Sequence, residues 1–336
     1  MKITVIVPAY NATTTLPECL KALREQAGTD TEIIVVDDCS TDQTREIAAN
    51  SGATVLWTSQ QSGPAAARNI GAEAASGEIL FFVDADVVIG PGTMERVQHD
   101  FAESPGLAAV FGSYDDSPAE PNFLSQYKNL LHHFVHQISN ENAGTFWAGC
   151  GAIRKEAFFT VNGFDAKQYP YPSIEDIELG IRLREKGYSI LLDKQLHGKH
   201  LKRWTPLSLL KADILRRAVP WSKLIAESGV VPNDLNLQTS QRLSAVLSAL
   251  IFGTPLLMLF IPPLLSLATA VFLLVLLMIL NWNLYSFLLR RKGPLFLIGS
   301  MFWHMLYYIY SGITFVLCWF RFRPRKTAKK PASVIK

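Results

Sequence analysis

Asp84 and Asp86 stand either side of one alanine at the end of the apolar run Ile79-Leu80-Phe81-Phe82-Val83. Such a run of aliphatic and aromatic residues reads as a buried strand, and residues two apart on a strand face the same way. Two carboxylates aimed together repel unless a cation or hydrogen-bond donors intervene. Oxygen ligands of this kind suit Mg²⁺ or Mn²⁺, and Mg²⁺ commonly takes one or two carboxylates and fills its shell with substrate phosphates. A turn or a helix cap produces the same spacing, so the pair acquires meaning only from its neighbours.

Those neighbours come from the elements that position it. Strand-like runs alternate with helical patterns: 3–7 then 15–26, 32–36 then 42–50, 54–57 then 64–75, and 79–83 then 91–103. The alternation predicts an α/β fold with a mostly parallel, Rossmann-like sheet covered by helices on both faces. Ligands of such sheets sit beyond the carboxyl ends of the strands. Pro8-Ala9-Tyr10-Asn11, Asp37-Asp38 and Asp84-Ala85-Asp86 all fall there. Asp37 either serves this site or only holds backbone amides at its strand end, and Asp42 and Ser40 read as helix caps. Ser62 ahead of Pro64 marks a helix start, with Gly77 as its stop. No G-x-G-x-x-G follows the first strand and no Walker-type phosphate loop occurs, which sets aside dehydrogenases and P-loop NTPases. Phosphates would have to be neutralised by a metal and by side chains.

Hydrophobicity is unevenly spread along the 336 residues, of which 49% are hydrophobic at a net charge of +3. Segments 243–261, 264–280 and 295–320 each approach or exceed the roughly 18 apolar residues that span a bilayer. Two arrangements remain open. Three spans place Arg290-Arg291-Lys292 in the cytoplasm but send the basic residues from Arg321 onward outside, against the positive-inside rule. Two spans with a re-entrant first segment, broken at Pro262-Pro263, keep that tail inside. Met1-Lys2 leads directly into domain sequence without the apolar stretch of a signal peptide. The expectation is therefore a multi-pass protein of the cytoplasmic membrane, its soluble domain in the cytoplasm. Cys19, Cys39, Cys150 and Cys318 show no metal or disulfide spacing and read as packing residues of a reducing compartment.

Val5–Asn11, Glu32–Asp42, Gly63-Pro64-Ala65-Ala66-Ala67-Arg68-Asn69 and the D-x-D occur in an order and spacing that resembles the inverting family 2 glycosyltransferases of GT-A fold. The likeness covers roughly the first two-thirds of the chain and implies a nucleotide-sugar donor. By that resemblance Asp38 accepts the base N–H, Pro8 and Tyr10 line the base pocket, Arg68 contacts the nucleotide, Asp84 the ribose, and Asp86 the metal that bridges the diphosphate. The common family pattern has Gly where Cys39 stands. Arg68 lies early in a helix, a poor place for a cation by the macrodipole argument, and a nearby anion would explain it.

Tyr171-Pro172-Ser173-Ile174-Glu175-Asp176 is similar to the family's acidic pair, whose second member, here Asp176, is the catalytic base. Glu175 then orients the acceptor or only favours a helix start. Ser173-x-x-Asp176 also reads as a capping box for a helix ending at Gly187, and a cap fixes a carboxylate as a general base requires. His200-x-x-Arg203-Trp204 resembles the Q-x-x-R-W motif of membrane polysaccharide synthases, with His in place of Gln. It implies His200 near the metal or pyrophosphate, Arg203 on the leaving diphosphate and Trp204 as a platform for an acceptor ring. His132, His133, His136 and His197 read as structural or exposed. Basic residues with flanking Trp from Lys199 to Trp221 suit a helix in the headgroup layer.

The expected organisation is a GT-A domain over 1–198, an interfacial amphipathic segment over 199–240, a transmembrane region over 241–320 and a basic tail over 321–336. The expected protein is a cell-envelope enzyme that moves sugar to a lipid or lipid-linked acceptor, with Mg²⁺ or Mn²⁺, a membrane and no nucleic acid as partners. Rival readings are a polyprenyl-phosphate glycosyltransferase, a processive polysaccharide synthase and a nucleotide-regulated membrane receptor or transporter.

Overall fold

In the computed structural model, residues 1–228 and 239–323 are described. They fall into two compact units that divide between Thr205 and Pro206.

The first unit is built on one eight-stranded sheet. Its elements are β1 (Ile3–Ala9), α1 (Leu16–Gln26), β2 (Thr31–Asp37), α2 (Thr44–Asn50), β3 (Thr54–Trp57), α3 (Pro64–Ala74), β4 (Ile79–Val83), β5 (Val87–Ile89), α4 (Thr93–Glu103), β6 (Leu107–Tyr114), α5 (Phe123–Ile138), β7 (Cys150–Arg154), α6 (Lys155–Thr160), α7 (Glu175–Glu185) and β8 (Ser189–His200). The strand order is β3-β2-β1-β4-β7-β6-β8-β5. The first four of these neighbours pair in parallel, β7 runs antiparallel to β4 and β6, and β6 and β8 are parallel.

β4 shows why its run is uninterrupted. Ile79, Phe81 and Val83 join one apolar cluster, while Leu80 and Phe82 join the other. A strand buried on both faces carries no polar alternation. Phe82 packs against Phe158 and Phe164, with ring centres 5.6 and 5.3 Å away. Each such aromatic pair adds about 0.5–1.5 kcal/mol beyond simple burial. This cluster holds the central strand level beneath the loop that carries Asp84 and Asp86.

The expected helix start at Ser62 falls instead at Gly63, the residue before α3, whose φ of 85° suits glycine. A Cβ there would lie 2.3 Å from the Pro170 carbonyl oxygen. Glycine therefore lets the loop before α7 close against the start of α3. The expected boundary at 198 is also moved, because β8 continues through His200 and the first unit through Thr205.

The second unit begins with α8 (Pro206–Lys211), a π-helical stretch (Ala212–Ala218) and α9 (Val219–Ser228). The amphipathic segment is thus helical only from Pro206, since Lys199 and His200 complete a strand. α10 (Thr239–Leu257), α11 (Pro263–Leu280), α12 (Trp282–Lys292) and α13 (Pro294–Phe322) follow. Among the described residues, α11 and α13 are long and apolar enough to cross a membrane. α10 carries Gln241 and Arg242 and buries Ser244, Ser248 and Thr254. Asn281, between α11 and α12, ties the bundle together by donating to Ser244 Oγ at 2.8 Å and accepting from Tyr308 Oη at 3.0 Å. The tail from 324 onward, and 229–238 of the amphipathic segment, lie outside the described residues.

Candidate active site

The chain turns at Asp84, whose carbonyl accepts the Val87 N–H at 2.9 Å. That turn separates the two carboxylates, which the sequence had aimed together. Asp84 Oδ1 accepts Arg68 Nη2 at 2.7 Å. Asp86 Oδ2 lies 3.6 Å from His200 Nε2 and 3.9 Å from Lys202 Nζ. The pairing Val87↔His200 between β5 and β8 brings His200 there from far along the chain. Burial opposes ionisation of both carboxylates. For Asp86 the His200 and Lys202 charges prevail and hold its pKa below the usual range. For Asp84 burial and the Asp86 charge outweigh Arg68, and its pKa rises.

His200 is buried with its ring stacked on Tyr114, centroids 4.1 Å apart and planes 10° apart. Tyr114 in turn meets Trp147 edge-on at 4.9 Å and His132 at 4.3 Å, and His132 Nδ1 lies 3.1 Å from His136 Nδ1. His132 and His136 thus pack into this wall, and His133 joins it with Nδ1 2.7 Å from the Tyr114 carbonyl oxygen and its ring 5.6 Å from that of His197. The sequence reading missed Tyr114 and Trp147. At Gly149 a Cβ would lie 2.5 Å from the Trp147 indole ring, a close approach that only the folded chain reveals.

Trp147 leads into Ala148, whose N–H donates to Asp176 Oδ2 at 3.1 Å; Asp176 Oδ1 accepts the Ile177 N–H at 2.8 Å. The capping box is therefore not formed as Ser173-x-x-Asp176. Glu175 Oε2 accepts the Ser173 N–H at 2.8 Å instead. Asp176 is half-buried, and its pKa is pushed up to about 7, first by desolvation, then by the adjacent Glu175, with Arg68 opposing. A carboxylate tuned to neutrality is suited to accept a proton.

Other expected residues are placed differently. Arg68 gives Nη1 to Glu175 Oε1 at 3.0 Å as well as Nη2 to Asp84, so protein carboxylates take its terminal nitrogens. Asp38 is buried and accepts from Thr58 Oγ1 (3.0 Å) and the Ser62 and Gly63 amides (both 2.8 Å), which fixes the loop between β3 and α3. Asp37 accepts the Ser40 amide and pairs with Arg45, the strand-end role. Pro8 is half-buried at the end of β1, and Tyr10 beyond it is 45% exposed. Cys39 has φ 62°, the left-handed region that favours glycine.

Two of the acceptor-side readings need correction. Trp204 is only 6% exposed, its backbone held by Ser125 Oγ and Asn122 Nδ2. Lys202 Nζ sits 4.7 Å from its ring centre. A ring so enclosed offers no platform to an acceptor. Arg203 is largely exposed and pairs with Glu120 Oε2 at 3.0 Å rather than turning toward Asp86.

Among the described residues no three His, Cys, Asp or Glu side chains gather into a metal cluster. The protein offers two convergent donors, Asp86 and His200, too far apart to hydrogen-bond each other. That set fits a cation whose remaining ligands are phosphate oxygens and water.

Residues 4–160 match the family model described as glycosyl transferase family 2. This segment is a family 2 glycosyltransferase domain. Asp176 and His200 lie beyond the matched residues. The chain is 27% identical over 196 residues to an uncharacterized glycosyltransferase of Haemophilus influenzae, covering 55% of this chain and 62% of that relative. It is 31% identical over 184 residues to glycosyltransferase GlyG of Streptococcus pneumoniae, covering 50% and 61%. The chain thus spans about three-fifths of the length of these curated relatives. A mannosyltransferase from Pyrobaculum calidifontis, solved in complex with GDP-Man and Mn²⁺, aligns at TM-score 0.52 and 17% identity over 94% of this chain and 87% of that one. This likeness places the glycosyltransferase domain in the GT-A fold.

Proposed function

We propose that the protein is a metal-dependent inverting glycosyltransferase moving sugar from a nucleotide-sugar donor to a lipid or lipid-linked acceptor at a membrane surface. One observation carries the reading. The paired Asp86 and His200 are joined, through Tyr114 and Trp147, to a carboxylate at Asp176 tuned to about pH 7. Donor charge and acceptor proton then have separate receivers within one wall of the site. The Mn²⁺ and GDP-Man of the Pyrobaculum neighbour support the donor and cofactor classes.

Asp86 and His200 would hold the cation, which when bound neutralises charge on the departing nucleoside diphosphate. Lys202, near Asp86, adds a second positive charge on that side. Asp176 takes the proton of an acceptor hydroxyl, whose oxygen forms the new bond to the anomeric carbon as the bond to diphosphate breaks on the opposite face. Configuration at that carbon inverts. The Ala148 and Ile177 amides keep the Asp176 carboxylate oriented for this transfer. Trp147, beside the amide that holds the base, borders the place where the acceptor must enter.

The apolar α11 and α13 support membrane association; on this reading the enzyme sits in the cytoplasmic membrane with its site on the cytoplasmic side and takes its acceptor from the bilayer. Leu264 and Leu295 expose 79% and 84% of their surface, which lipid would cover. Product analysis after incubation with nucleotide sugars and membrane lipid extract tests the reading. An Asp176→Asn enzyme should bind donor yet lose transfer. Undiminished turnover would instead point to an acceptor already anionic, such as a polyprenyl phosphate, which needs no base.

A further inference from the structure

Arg68 occupies the second turn of α3, near the positive end of the helix dipole, where a cation is disfavoured. Its side chain is nevertheless only 5% exposed. The guanidinium lies 5.4 Å from the Phe164 ring centre. Asn69, the next residue, clamps the Phe164 backbone by donating to its carbonyl (2.8 Å) and accepting its N–H (3.0 Å). Both terminal nitrogens are engaged, one by Asp84 at 2.7 Å and one by Glu175 at 3.0 Å. A buried cation with two carboxylates and a ring across its face is a fixed strut, because a planar fork holds its partners in one geometry.

We infer that Arg68 is a positioning residue, a cationic strut tying the donor-side Asp84 to the acceptor-side Glu175-Asp176 pair, and not a ligand of the nucleotide. The inference rests on the glycosyltransferase reading given above. Asp176 is faced by Glu175 on its own helix, by Arg68 from α3, and by the Ala148 and Ile177 amides; Asp84 lies beyond Arg68. Glu175 raises the pKa of Asp176 and Arg68 lowers it. The strut therefore favours the ionised form of the base beside a second carboxylate. Neutralising either partner should move the base in opposite directions, which a purely structural role for Arg68 would not do.

The test is the pH dependence of kcat for transfer by the full chain at saturating Mn²⁺, together with donor KM. Arg68→Gln should carry the acid limb to higher pH by about 0.5 unit or more, with donor KM changed less than about threefold. Glu175→Gln should carry it to lower pH, and Arg68→Lys should lie between wild type and Arg68→Gln. A donor KM raised about tenfold (roughly 1.4 kcal/mol) with the limb unmoved makes Arg68 a nucleotide ligand and overturns the inference. If Arg68→Gln does not fold, an unshifted limb in both Glu175→Gln and Arg68→Lys overturns it equally. Absence of turnover by the wild-type chain with every nucleotide sugar removes the glycosyltransferase reading and this inference together. Wild-type turnover with unmoved limbs removes only the strut.

Discussion

At neutral pH Asp176 is held between its two protonation states by neighbours that act in opposite senses. Desolvation and Glu175 favour the neutral acid, whereas Arg68 and two amides favour the carboxylate. A base must be ionised to act, so transfer should rise with pH up to about 7, about tenfold per unit below it, and then level off. A rate that stays flat from pH 5 to 8 would remove Asp176 from the reaction. The same shift has a consequence for stability. The folded-state pKa lies above the unfolded value, so the group's stabilisation is full below about pH 4 and is lost as pH rises through about 7. Asp176→Asn should therefore stabilise the enzyme at pH 8 by on the order of 1–2 kcal/mol, and by little at pH 4. Thermal melts at both pH values check this; a variant less stable at pH 8 contradicts it. At Cys39 the left-handed backbone predicts that Cys39→Gly is neutral to stabilising by up to about 1 kcal/mol. A drop in urea midpoint for that variant would show that the thiol packing outweighs the strain.

Elements decide which residues meet, and there the sequence was only partly legible. The alternation of runs 3–103 disclosed the parallel strands, of which β1, β2 and β4 are buried on both faces. It disclosed Asp84 and Asp86 too, as the first polar residues after β4. Three features escaped. The turn at Asp84–Val87 sends Asp84 toward Arg68 and Asp86 toward His200, and no pattern of period two foretells a reversal after one residue. The antiparallel return of β7 and the β5–β8 pairing are long-range choices, so Tyr114, Trp147 and His200 converge without a local signal. Trp204 was read from a likeness to the Q-x-x-R-W motif, yet Asn122 and Ser125 at the start of α5 hold its backbone inside the domain. Asp38 shows what an element-level test looks like. It holds Thr58, Ser62 and Gly63 at once, so Asp38→Ala should cost stability of about 1–3 kcal/mol as well as donor affinity. Unaltered urea unfolding with weakened donor binding would mean that base recognition is its whole role.

At the scale of the whole molecule, one chain carries both a glycosyltransferase domain and a unit whose long helices are mostly unburied apolar surface. The full chain should remain with membranes after alkaline carbonate washing, since α11 and α13 present too much apolar area for release. Recovery in the wash would detach the lipid-acceptor reading from the protein. The central claim is metal-assisted departure of a nucleoside diphosphate at Asp86 and His200. It is tested most directly by the rate of nucleotide-sugar consumption by the full chain with Mn²⁺, with EDTA, and after Asp86→Ala. Turnover is expected with Mn²⁺, and its loss by at least about a hundredfold in both of the other cases. Equal turnover in EDTA, or in the Asp86→Ala protein, would contradict it.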